Sequence, residues 1–174
     1  MPAVAITDHG NMFGIKEFFN YVNKKNKELP DGKKFKPIFG CEMYVAKGSR
    51  FEHLDKRDTG RHLIVLAKNE KGYHNLIKIV SQAWTEGFYS HPRTDKDSLA
   101  SHSEGLIVCS ACLGGEIPRL IQDGEIDEAE RQVLWFKKVF GDDYYLELQR
   151  HKATVPRANH EVYPLQEKVN EVLV

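Results

Sequence analysis

The chain has 174 residues, of which 41% are hydrophobic and 29% charged, and Lys+Arg and Asp+Glu balance at 25 each. This length fits one domain spanning residues 1–174, and the composition is typical of a globular protein rather than a disordered tail. No apolar run approaches the roughly 20 residues of a membrane span, and no signal peptide precedes the first predicted strand. The zero net charge excludes an overall basic field, so nucleic-acid binding cannot be argued from charge.

The predicted elements alternate between strands and helices. Strands are predicted for the apolar run from Ala3 into Thr-Asp-His-Gly and for residues 37–46, 62–67, 105–109 and 143–149. Helices are predicted for residues 11–28, from an N-cap at Asn69 to about 86, 117–121, 126–140 and 156–174. This alternation predicts a mostly parallel α/β fold, and both a barrel-like closure and an open doubly wound sheet remain possible.

The context of the termini and of the cysteines adds two expectations. The first strand begins directly after Met1-Pro2 and the chain stops inside a helical pattern, so we expect a piece of a longer chain. The three cysteines are an odd number in a histidine-rich chain, which favours free thiols in a reducing compartment, and we expect a cytoplasmic protein with no membrane contact.

The first strand delivers an acid and an imidazole, Asp8 and His9, to the point where a helical pattern begins. Residues just past the ends of strands are where parallel α/β folds hold ligands and metals. The alternative is that Asp8 caps the following helix and His9 is a solvated turn residue, because a strand followed by a cap is common in such folds.

Four side chains interrupt or terminate the predicted apolar strands, namely His9, Glu42, His62 and Cys112. Imidazole, carboxylate and thiol together suit zinc, and imidazole with carboxylate also suits manganese or iron. The sequence contains no HExxH, paired CxxC motifs, GxGxxG or P-loop, so such a site would be assembled from the ends of separate strands. For Cys112 the alternative is a small apolar residue that fills space.

His62 begins its predicted strand, whereas barrel sites gather where strands end. A long antiparallel hairpin that pairs residues 42–45 with residues 62–65 resolves this conflict. The midpoint of positions 42 and 62 lies inside the polar loop at residues 47–60, so the hairpin predicts that Glu42 and His62 lie roughly opposite each other.

The segment Cys109-Ser110-Ala111-Cys112 is a CxxC between a strand and a helix, which also permits a thioredoxin-like redox interpretation. A metal-ligand role for Cys112 is favoured, because Cys109 completes an apolar strand and the turn carries Gly114 and Gly115 instead of a proline.

Other polar side chains are weaker candidates. Asp8 and His151 are candidates to contact the metal ligands without binding the metal themselves. Asp8 precedes His9, and His151 directly follows the fifth predicted strand. The remaining histidines are predicted to be solvated in loops or on polar helix faces: His53, His74, His91, His102 and His160. Tyr89, Arg93 and Lys96 could meet a phosphate, but one Arg and one Lys in the loop predicted at residues 87–97 are typical of ordinary surface.

Six blocks of the sequence resemble, in this order, the PHP (polymerase and histidinol phosphatase) domain of bacterial DNA polymerase III alpha subunits. They are VAITDHGNMFG, PIFGCEMYV, HLIVLAKNEKGYHNLIKIVS, EGFYSHPRTDKDSL, EGLIVCSACLGGEIP and YYLELQRH. The resemblance covers essentially the whole chain and implies a distorted (β/α)7 barrel, here partial and truncated at both ends. It also implies a cluster of up to three divalent metals at the strand ends, with His9, Glu42, His62 and Cys112 at ligand positions.

The resemblance implies a part of a DNA-directed DNA polymerase that contacts DNA and other subunits of the replicative holoenzyme. Where the metal residues are kept, as here, the domain can support 3′–5′ exonucleolytic proofreading. The family's opening His-x-His and late Asp-x-His motifs are absent from the sequence, so we expect weak metal binding and no robust nuclease activity. The alternatives are a purely structural scaffold and, less favoured, a free-standing PHP phosphatase.

Overall fold

The structure is a computed structural model that describes residues 1–53, 58–150 and 162–174, and places seven β-strands and six α-helices in those ranges. No helix within them combines the length and apolar character needed to cross a bilayer. The strands are β1 (Ala3–His9), β2 (Lys36–Val45), β3 (Arg61–Ala67), β4 (Phe88–Tyr89), β5 (His91–Thr94), β6 (Leu106–Cys109) and β7 (Tyr144–Tyr145). The helices are α1 (Ile15–Glu28), α2 (Glu70–Thr85), α3 (Lys96–Ser101), α4 (Glu116–Gln122), α5 (Ile126–Phe140) and α6 (Val162–Leu173).

Most predicted elements are confirmed to within a few residues. The Asn69 side chain accepts a hydrogen bond from the Gly72 N–H and so caps α2, as predicted. Two predictions are wrong: residues 87–97 form β4, β5 and the start of α3 instead of a loop, and the strand predicted at residues 143–149 is only the two-residue β7. The predicted start of the last helix, at residues 156–161, lies outside the described residues.

The helices and the sheet confirm the predicted α/β fold, but the sheet is mixed, so the prediction that it is mostly parallel is wrong. Its order is β4-β5-β2-β3-β6-β7, and β1 also pairs with β2. The pairs β1–β2, β2–β5 and β6–β7 are parallel, whereas β2–β3, β3–β6 and β4–β5 are antiparallel. Parallel neighbours need a long crossover connection, usually a helix, and the described part of the connection from β2 to β3 contains none. The chain therefore returns directly beside β2, as the hairpin hypothesis predicts.

The two faces of the sheet differ in how they are covered, because side chains alternate between the faces along each strand. One face carries the core, where buried β-strand residues such as Val65 and Val108 join a cluster with Leu76 and Phe136 of the helices. The opposite face carries Glu42 and apolar residues that are only partly buried, among them Ile38, Ile64, Leu66 and Ile107. The Glu42 side chain therefore lies on the less covered face of the sheet.

Candidate metal centre

Four elements meet at one edge of the sheet. His9 ends β1 and is the register partner of Glu42 in the parallel strand β2. Because β3 runs antiparallel to β2, its first residues, including His62, lie at this same edge. Strand β6 is antiparallel to β3, so the turn that follows it brings Cys112 there as well, and His62 bridges to Gly115 of that turn.

The predicted ligands lie within contact distance of one another. Glu42 links the two imidazoles, with Oε1 at 2.7 Å from His62 Nδ1 and Oε2 at 3.4 Å from His9 Nδ1. Cys112 Sγ lies 3.4 Å from His62 Nδ1. Glu42, His62 and Cys112 each offer one donor atom such that all three atoms lie within 4.8 Å of one another. The structure thus brings the four residues together, and metal binding by them stays a prediction.

The hairpin register differs from the prediction by two residues. Tyr44, not Glu42, pairs with His62, and Glu42 pairs with Ile64. A shift of two residues preserves the face of the sheet to which a side chain points, so Glu42 and His62 become diagonal neighbours that still meet.

The donor set fits a divalent transition metal. Neighbouring ligand atoms lie about 3.3–3.7 Å apart around a tetrahedral ion whose bonds are about 2.0–2.3 Å long. The 3.4 Å separation between Cys112 Sγ and His62 Nδ1 matches that spacing. Glu42 Oε1 and His62 Nδ1 lie closer than this, at 2.7 Å, and form an ion pair when the imidazole is protonated. Bonds from both residues to one metal ion would replace that pair.

Of the two residues predicted to contact the metal ligands, Asp8 and His151, the described residues include only Asp8. Asp8 faces away from His9, because successive residues of β1 point to opposite faces, and its Oδ2 accepts a hydrogen bond from the N–H of Gly14 at the start of α1. His151 lies outside the described residues.

Sequence reasoning missed two residues beside the centre. The Tyr44 hydroxyl lies 3.4 Å from His9 Nδ1, and its ring lies edge-on to His62 at a centroid distance of 5.4 Å. The ring of His91, which was predicted to be solvated, lies 4.6 Å from that of Tyr44. The alternation of β2 was a usable signal for Tyr44, since residues 42 and 44 share one face of the sheet.

Comparison with known protein families matches residues 1–151 to the PHP domain. The chain belongs to the PHP domain family. It is 52% identical over 155 residues to a protein of Borreliella burgdorferi named DNA polymerase III subunit alpha, covering 87% of this chain and 13% of that protein. Proteins of the same name from Thermus aquaticus and Chlamydia trachomatis are 41% identical over 177 residues and 44% identical over 156 residues. These cover 99% and 88% of this chain but only 13% and 12% of the relatives, so the PHP domain chain spans about one eighth of their length.

The three free cysteines of this PHP domain differ in the direction in which their surroundings shift the pKa of the thiol. A hydrogen bond with Cys112 raises the pKa of the His62 imidazole against the effect of its partial burial, and the Glu42 carboxylate raises it further. The same hydrogen bond lowers the pKa of Cys112, and the Gly114 N–H that points at Sγ acts in the same direction. Burial raises the pKa of Cys109 and raises that of Cys41 to about 12.

Cys112 is therefore expected to react first with iodoacetamide when a chelator removes metal. Because the thiolate is the reactive form, Cys112 should be alkylated at least about tenfold faster at pH 7 than Cys109 or Cys41. Peptide mass mapping over a pH series should show that alkylation of Cys112 reaches half its maximal rate at a lower pH than that of an ordinary thiol. Alkylation of Cys109 should reach half its maximal rate at a higher pH. Equal rates at Cys109 and Cys112 would contradict the assigned pairing of Cys112 with His62.

Arg93 is buried, so the prediction that it is an ordinary surface residue is wrong. It lies on β5 with only 1% of its surface exposed, and its guanidinium contacts Asp58 at 3.0 Å. Lys96 is also largely covered, paired with Glu116 at 3.0 Å. Both cations are occupied by protein partners, so neither is free to receive a phosphate.

Proposed function

We propose that this PHP domain is part of the alpha subunit of a bacterial replicative DNA polymerase, in the cytoplasm, and that His9, Glu42, His62 and Cys112 bind divalent metal there. The observation that carries the proposal is the convergence of these four residues, from separate strands, through contacts of 2.7–3.4 Å. The similarity to polymerase alpha subunits supports DNA and other replisome subunits as partners of the parent protein. The metal is zinc, manganese or iron on the basis of the donor types.

The chemistry proposed for the centre is hydrolysis of a phosphodiester at the 3′ end of DNA. Bound metal would activate a water molecule and stabilise the negative charge that develops on the phosphate. The Glu42 carboxylate lies between the two imidazoles, 2.7 Å from His62 Nδ1 and 3.4 Å from His9 Nδ1, so one metal ion bound to it would lie close to both rings. Tyr44 places a hydroxyl beside His9, where it limits the orientations of that exposed ring.

The less covered face of the sheet supports the barrel architecture proposed for the domain. A (β/α)7 barrel encloses one face of its sheet, and here the face that carries Glu42 also carries the partly buried apolar residues Ile38, Ile64 and Leu66. In the PHP pattern, a His-x-His motif and an Asp-x-His motif complete the metal shell, and neither occurs in these 174 residues. We therefore propose a single domain in which the present chain provides part of the barrel and part of the shell.

The test compares this chain with a longer polymerase chain that contains it. We expect weak metal binding and little hydrolysis of a mispaired 3′ end by the 174 residues, and metal-dependent hydrolysis by the longer chain that Glu42→Ala abolishes without loss of fold. Metal content, circular dichroism and release of the terminal nucleotide are the measurements. Comparable turnover by both chains would contradict the incomplete shell. Hydrolysis that survives Glu42→Ala would favour the scaffold role instead.

A further inference from the structure

An exposed pair of stacked aromatic rings is hydrogen-bonded to the backbone next to the candidate metal centre. The rings of Trp84, at the end of α2, and Phe88, on β4, lie 5.4 Å apart with an angle of 22° between their planes. Trp84 is 44% exposed and Phe88 is 49% exposed. The helical pattern places Trp84 with Leu76 on the apolar side of α2, yet Leu76 is fully buried while Trp84 is not. The core therefore does not account for this pair.

Hydrogen bonds connect the aromatic pair to the centre. The indole N–H of Trp84 donates to the carbonyl oxygen of Gly10 at 2.8 Å, and Gly10 directly follows His9. The N–H of Gly10 in turn donates to the carbonyl oxygen of Glu42 at 2.9 Å. One glycine thus joins the indole to the backbone of two of the proposed metal ligands.

The pair is held in place before any ligand binds. The hydrogen bond to Gly10 fixes the indole, and Phe88 is paired with Pro92 in the β4–β5 hairpin. Pro92 and the ring of Tyr44 pack closely around Gly10, where an added Cβ would lie 2.7 Å from Pro92 and 3.1 Å from Tyr44. A fixed aromatic surface loses little conformational entropy when a flat ligand stacks on it.

We propose that Trp84 and Phe88 form a stacking site for the unpaired terminal base of a DNA strand whose phosphate lies at the metal centre. This inference rests on the proposed function. The base and the phosphate of one nucleotide are joined through a single sugar, so a base site has to lie within one nucleotide's length of the phosphate site. The hydrogen bond to Gly10 ties the indole to the residue that follows His9. Stacking on aromatic rings binds any base in single-stranded DNA, because every base has a π face. Such a site selects an end that is frayed or mispaired over one that is paired.

The test uses the fluorescence of Trp84 in a Trp135→Phe background, since the chain has only these two tryptophans. A chelator is present, so that binding does not depend on metal. We expect a single-stranded oligonucleotide to quench the fluorescence with saturation. Phe88→Leu, which keeps the apolar volume, and Phe88→Ala should each weaken binding by about tenfold. An abasic 3′-terminal nucleotide and a blunt duplex of the same sequence should bind about as weakly as those variants.

The matched control is Tyr21→Ala, which removes an exposed aromatic side chain from α1 and should leave binding unchanged. Equal affinity for the abasic oligonucleotide would overturn the proposal, because the contacts would then reside in the phosphates. Absence of quenching by every oligonucleotide would also overturn it. Base-dependent quenching by a chain that never hydrolyses DNA, even as part of the longer polymerase, would support the stacking site and refute the proposed nuclease alone.

Discussion

Replacing Arg93 with methionine is expected to lower the free energy of unfolding by about 3–5 kcal/mol, the range for breaking a buried ion pair by removing one partner. The reason is the number of acceptors that the buried guanidinium of Arg93 contacts. Its guanidinium donates to the carboxylate of Asp58 at 3.0 Å and to the carbonyl oxygen of Glu52 at 2.7 Å. It makes longer contacts with the carbonyl oxygens of Arg50 and Gly87. Methionine removes the donors to Asp58 and to the Glu52 and Arg50 carbonyl oxygens, and it leaves the Asp58 carboxylate without its cationic partner.

Urea denaturation and thermal melting are the measurements for Arg93→Met, and the midpoint should fall by about 10 °C for a chain of this size. Arg131→Met is the matched control. Arg131 also forms an ion pair, with Glu128, but its side chain is 65% exposed, so the expected change is below about 1 kcal/mol. Equal effects of the two substitutions would show that burial of Arg93 does not determine its contribution. The loss of stability in Arg93→Lys should lie between those of Arg93→Met and Arg131→Met, because a lysine keeps the charge but not the planar set of donors.

Arg93 also shows why part of the fold could not be predicted from the sequence. The segment Phe88–Thr94 contains Pro92 and strands of only two and four residues, which are too short to give a period-two pattern. A single arginine in such a segment is typical of the surface. Arg93 is buried because Arg50, Glu52 and Asp58, which are distant in sequence, supply acceptors for its guanidinium. Those acceptors are backbone carbonyls for the most part, and backbone groups carry no sequence signal.

The longer elements were predictable because their signals are local. The apolar stripe of α5 at Ala129, Phe136 and Phe140 follows the helical period, and all three residues are buried. The cap at Asn69 likewise depends on residues only three positions apart. The direction of β3 is not local, because it depends on what the connection from β2 contains. The strand alternation alone therefore suggested a mostly parallel sheet, and only the position of His62 suggested the hairpin.

The candidate centre was predictable in its members but not in its contacts. Each of His9, Glu42 and His62 interrupts or bounds an apolar strand, and that signal needs no knowledge of the fold. The two-residue register shift that places Tyr44 opposite His62 depends on the conformation of the connecting loop, whose length alone does not fix the register. The contact of Tyr44 with His62 follows from this register, and that of His91 with Tyr44 also needs the β4–β5 hairpin, which is why His91 was predicted to be solvated.

Glu42→Gln is expected to weaken divalent metal binding by about 100-fold, because it removes an anionic group that contacts both imidazoles. A glutamine keeps the size and one carbonyl oxygen, so the core around β2 should be unaffected. Metal present at 100 times its dissociation constant stabilises the folded state by about 2.7 kcal/mol, and the variant should lose nearly all of that gain at the same concentration. The thermal midpoint with and without Zn²⁺ or Mn²⁺ measures this directly.

Glu17→Gln is the matched control for Glu42→Gln, since Glu17 lies in the first turn of α1 on an exposed position and contacts no member of the centre in the described structure. The metal-free proteins should melt at nearly the same temperature, whereas the metal-induced shift should persist in Glu17→Gln and vanish in Glu42→Gln. A shift of equal size in both variants would mean that the ions bind elsewhere. The proximity of His9, Glu42, His62 and Cys112 would then reflect their contacts with one another, namely the His62–Cys112 hydrogen bond and the pairing of Glu42 with the two imidazoles.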